Sequence, residues 1–125
     1  MKNEHIHKDY GHTTSDQIEM YIAELSFDAI AMCVIIYQAS VCFKLTGSEF
    51  EQFLTDSITQ IIESGAKPVI GSKAINGWVE QKQYGDTTAS IVYNIMHEIK
   101  KSNFDLDHGG LWFATPSIIY PHNHL

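Results

Sequence analysis

The sequence predicts a mainly α fold: a compact helical bundle around a central apolar helix at about 27–44, with helices at about 15–25, 48–64 and 87–102 and a short extended or β C-terminal section. Three observations carry that expectation. Apolar residues alternate spacings of four and three from Ile18 to Phe43, and two later segments show a helical period behind capping residues. The segment Phe27 to Phe43 is also apolar nearly all round, so neighbouring elements should cover most of it.

Residues 1–14 are polar and lack an apolar period, and are expected as a flexible N-terminal arm before a single globular domain at 15–125. A chain of 125 residues has room for one domain with a real core. Thr14 with Gln17 fits a capping box, with Ser15 as an alternative cap, and Asp16 and Glu19 complement the positive end of the first helix. Ile18, Ile22, Leu25, Ala29, Met32, Ile36, Ala39 and Phe43 then form one stripe, while Phe27, Ile30, Val34, Tyr37 and Val41 line a second face. A straight helix from Asp16 to Lys44 would be about 43 Å long, against roughly 35 Å for the diameter of a globule this size. A break near Ser26, whose hydroxyl can cap a new helix, resolves the mismatch; the rival is a stripe shared with a second subunit in a homodimer. The apolar run is too short and too interrupted for a membrane span, which needs ~20 mostly apolar residues.

Ser48 and Glu51 form a capping box for the next helix, whose face holds Phe50, Phe53, Leu54, Ile58, Ile61 and Ile62 and whose stop is Gly65. Residues 66–85, punctuated by Pro68, Gly71, Gly77 and Gly85, read as short strands or one helical turn. Asp86 or Thr87 caps a helix carrying Ile91, Val92, Ile95 and Ile99, with Lys100 and Lys101 at its negative end. The last apolar runs, Leu111–Phe113 and Ile118–Tyr120, are expected as extended chain over the helices, because Pro116 and Pro121 argue against ordinary central strands.

Fifteen acidic residues face eight basic ones, every basic residue is a lysine, and the net charge is -7. Without arginine's bidentate fork such a chain is a poor nucleic-acid binder, whereas its potential complements a basic protein. Cys33 and Cys42 sit in the apolar segment as free thiols with no secretory signal ahead of them, which points to the cytoplasm. The chain has no nucleophile elbow, phosphate loop, zinc-protease helix or CxxC pair. The expected function is therefore a non-catalytic acidic protein-binding module, an inhibitor or immunity-type protein that neutralises a basic partner such as a nuclease toxin.

The alternative is a small metal-dependent enzyme or ligand-binding protein. Its candidate residues are Asp105, Asp107, His108 and Trp112, the densest polar set beside aromatics. Asn103 to Gly109 resembles the start of a calcium loop, but the glycine falls at the seventh place and Ala114 stands where a bidentate Glu is needed. His5 with His7, and His122 with His124, could each turn two imidazoles toward one zinc ion if the ends converge. No cysteine ligand accompanies them, so the expectation is no cofactor. Glu24 and Asp28 would share a helix face unless a break at Ser26 separates them.

Overall fold

The computed structural model describes residues 4–105 and 110–121, in which four short strands share the fold with the helices. The order is α1 (Thr14–Glu24), β1 (Ile30–Ala31), α2 (Met32–Tyr37) running into a π-helical turn (Gln38–Cys42), α3 (Gly47–Glu63), β2 (Lys67–Ser72) and β3 (Gly77–Glu80). A 3-10 turn (Lys82–Tyr84), α4 (Thr88–Lys101), β4 (Trp112–Ala114) and α5 (Pro116–Ile119) follow. The expected helical bundle is thus corrected to a helix-rich mixed α/β fold, 54% helical with a four-stranded antiparallel sheet.

The sheet order is β1-β4-β2-β3, and each neighbouring pair is antiparallel. β1 and β2 are therefore parallel to each other with β4 between them, and β3 and β4 are parallel with β2 between. Parallel strands need crossovers of a dozen or more residues, and the segment from α2 through α3 supplies one while α4 supplies the other. Because side chains alternate along a strand, Phe113, opposite Ile30 and Pro68, enters the helical core, while Trp112 and Ala114 face the other way. On that second face Val69, Ala29 and Ala114 lie with the half-buried Trp78 and Trp112 beneath Ile118 and Ile119 of α5. Leu111–Phe113 therefore contributes to a central strand. The proline argument fails because β4 stops at Ala114 and Pro116 opens a helix instead, at the position where its missing N–H costs nothing.

The central helix at 27–44 is likewise shorter than expected. The chain turns after Leu25, makes β1, and becomes helical only at Met32, so the break falls near Ser26, although Ser26 caps nothing and α2 has no side-chain cap. Ile18, Leu25, Ala29, Met32, Ile36, Ala39 and Phe43 are buried within one chain, so this stripe is not available to a second subunit. The other face departs from expectation: Phe27 is 76% exposed, Tyr37 48% and Val34 43%.

Local signals account for most boundaries. Thr13, rather than Thr14 or Ser15, caps α1: its hydroxyl accepts from Asp16 N and its own N–H donates to Asp16 Oδ2, each at 3.1 Å. That backbone donor holds the Asp16 carboxyl below its ordinary range. The Ser48–Glu51 box does not form, since α3 starts earlier, at Gly47, and Gly65 at φ +108° ends it. Thr87 caps α4, accepting from Ser90 N at 3.1 Å. Residues 4–13, expected as an arm, are docked: Ile6 bridges to Thr13, Lys8 N donates to Cys42 O at 2.9 Å, and His7 is buried.

Ser57 is fully buried on the core face of α3, and among the described residues its hydroxyl has no hydrogen-bond partner. Ser57→Ala is expected to stabilise the fold by about 1 kcal/mol, since an unmatched buried hydroxyl costs ~1–3 kcal/mol and alanine is the better helix former. The urea midpoint at unchanged m-value measures it; a lower midpoint would mean that the hydroxyl has a partner.

Candidate functional site

The exposed side of α2 is the wall of a groove. Where α2 widens into the π-helical turn, Phe43 N donates to Gln38 O at 2.9 Å, and the Gln38 side chain accepts from the Tyr21 hydroxyl of α1. π-turns inserted in helices recur at functional sites, and this one ties α2 to α1 at the groove's midpoint. Burial pushes the Tyr21 phenol far above its ordinary pKa, reinforced by Cys42 and Glu24, so it is a neutral donor that positions Gln38.

On one side of Val34 and Gln38 is a cavity of about 290 Å³ bordered by Met20, Tyr21, Glu24, Asp28, Ala29 and Trp112. On the other side is a hollow of about 500 Å³ bordered by His7, Asp9, Tyr10, Cys33, Tyr37 and Cys42. Val34 and Gln38 line both, so the two hollows adjoin along α2 and together make up the groove. Among the described residues its charged groups are carboxylates, Asp9 at one end and Glu24 and Asp28 at the other, and no lysine lines it. Asp28 Oδ1 accepts from Ala29 N at 2.8 Å, and among the described residues none of these three carboxylates has an ion-pair partner.

The sign of the groove follows from the chain. Between Lys8 and Lys44 the sequence carries Asp9, Asp16, Glu19, Glu24 and Asp28 and no lysine or arginine, and the same stretch builds α1, α2 and the π-helical turn. That segregation was the available sequence signal for Val34, Tyr37, Met20 and Gln38, none of which the polar motifs indicate. Glu24 and Asp28 border one cavity despite the break between them, because the turn after Leu25 keeps Asp28 N donating to Glu24 O at 3.0 Å.

The docked N-terminal loop stiffens the far end. His7 Nδ1 accepts from Asp9 N at 3.1 Å and Tyr10 N at 3.2 Å, and its ring lies 4.8 Å from those of both Tyr10 and His12 and edge-on to Phe43. His12 Nε2 donates to Gln17 Oε1 at 2.7 Å. His5 Nε2 lies 2.8 Å from Glu49 Oε2 and pins the loop to the first turn of α3. His5 and His7 thus serve separate contacts, and His122 and His124 lie outside the described residues. Among the described residues no group of three or more His, Cys, Asp or Glu could hold a metal ion.

Of the four ligand-site candidates, Asp107 and His108 also lie outside the described residues. Asp105 is exposed and follows Phe104, which packs edge-on against Phe50 on the helical side, whereas Trp112 faces the opposite side of the sheet, 5.3 Å from Trp78. Of the two described candidates, Trp112 borders the groove.

Comparison with protein-family models, with curated proteins and with solved structures finds no match. The functional reading therefore rests on the site itself. A second hollow of about 690 Å³ lies between α3 and α4, bordered by Tyr93, Met96, His97, Lys100 and Lys101. Its lysines already complement the carbonyl end of α4, and Lys100 is held 3.1 Å from Glu51. Among the described residues no helix is long and apolar enough to cross a membrane.

Proposed function

We propose that the protein is a non-catalytic acidic protein-binding module whose groove along α2 receives a basic segment of another protein. One observation carries this: solvent-facing apolar side chains, Val34 and Tyr37 on α2 with Met20 on α1, border a groove whose unpaired charges among the described residues are all carboxylates. Apolar anchors supply binding energy once desolvated, and a rim of one sign steers and selects a partner of the other. The proposed form is an inhibitor or immunity-type protein that neutralises a basic enzyme such as a nuclease. The proposed setting is the cytoplasm, which suits the free thiols of Cys33 and Cys42.

Capture from the source cells at low salt tests the proposal. The wild-type chain should retain a stoichiometric basic protein, and less of it as salt rises. The exposed pair Asp9→Lys and Tyr37→Lys, in a chain whose circular dichroism matches wild type, should reduce that capture at least about tenfold. No stoichiometric partner, an acidic partner, or undiminished capture by the double variant would each overturn it.

A further inference from the structure

We infer that the cavity between α1, β1 and Trp112 of β4 is a receptor for a single arginine side chain of the basic partner. The inference deepens the groove reading and rests on it. The cavity holds about 290 Å³, below the usual range of ligand pockets and suited to one long side chain, and helices, turn and strands all contribute to its wall. Met20, Ala29 and Val34 offer an apolar passage for the methylenes of such a side chain. Trp112, Glu24 and Asp28 border the same cavity, and their side-chain types match a guanidinium: an indole offers a face for stacking and a carboxylate accepts its forked N–H groups.

Two further facts select the occupant. Glu24 and Asp28 have no cation beside them among the described residues, so the cavity holds negative charge that the fold does not itself neutralise. None of the 125 residues is an arginine, so no residue of this sequence supplies the guanidinium. Lysine would meet a carboxylate as a point charge, but it lacks both the planar stack on Trp112 and the fork across two acceptors.

The test titrates Nα-acetyl-arginine methylamide, and its citrulline and lysine counterparts, into the full ¹⁵N-labelled chain at low salt. Saturable shifts should centre on the Trp112 indole N–H and the Tyr21 and Gln38 amides for the arginine amide. The citrulline amide, of the same shape without the charge, should bind at least about tenfold more weakly. Glu24→Gln with Asp28→Asn should abolish the response while the rest of the spectrum stays that of the folded wild type. The inference is overturned by an equal citrulline response, a lysine response as strong as arginine's, an undiminished response in the double variant, or no response at all. The two readings fail separately: if the amide does not bind but partner capture still depends on Asp9 and Tyr37, the arginine receptor falls and the groove stands. If the amide binds and no partner is captured, the receptor stands and the protein-binding groove falls.

Discussion

Phe113→Ala is expected to destabilise the protein by about 3–5 kcal/mol, the cost of truncating a fully buried phenylalanine. The site leaves little room for collapse. Phe113 sits in the middle of the three-residue strand β4, opposite Ile30 of β1 and Pro68 of β2, and its ring belongs to the core shared with α1, α3 and α4. It thus links the sheet to the helices from the strand that both β1 and β2 pair with. Urea unfolding by fluorescence and circular dichroism measures the effect. A cost below about 1 kcal/mol would match a peripheral extended segment and would contradict a central β4.

That residue also shows why the sheet was hard to read in the sequence. β1 has two residues and β4 three, too few for a period of two to show, and they pair across the length of the chain, Ile30 with Phe113. The proline at 116 argued against a strand, yet it acts only after β4 has ended. α3 and α4 were legible because each holds several turns of one apolar face and ends in a recognisable way, α3 at Gly65 and α4 with Lys100 and Lys101. The segment after Ser26 misled for a different reason. Apolar character on both faces of a helix implies that both are covered, and periodicity has no means of separating a second core face from the wall of an open groove. Ile36 is buried while Val34 and Tyr37 on the same short helix face solvent.

The candidate site was obscured by averaging. A net charge of -7 describes the whole chain and suggests an acidic exterior, but it hides that the eight lysines all lie outside residues 9–43. Polar density drew attention instead to Asp105, Asp107 and His108. Trp112 was chosen as their neighbour, yet it borders the same cavity as Glu24 and Asp28, and β4 places it on the sheet face away from the helical core.

Raising the pH is expected to unfold the protein above about pH 10, and Tyr21→Phe should shift the onset upward. Burial raises the Tyr21 phenol well above its ordinary pKa, and burial together with the bond to Glu98 does the same to Tyr84. A group whose protonated form is favoured in the folded state contributes its full stability below the unfolded-state pKa, about 10 for tyrosine. That contribution is lost as pH climbs from there toward the folded-state value, because the unfolded chain then releases a proton that the folded chain must keep. At Tyr21 the loss is structural as well: the phenolate has no hydrogen to give Gln38 and would bring a second negative charge near Glu24. Unfolding by urea between about pH 8 and pH 11, for wild type and Tyr21→Phe, reads the effect as the slope of stability against pH. The phenylalanine variant should be the less stable at pH 8, having lost the bond to Gln38, and should show the shallower slope. Equal slopes would mean that Tyr21 titrates as an exposed phenol and that the bond joining α1 to the π-helical turn is not formed.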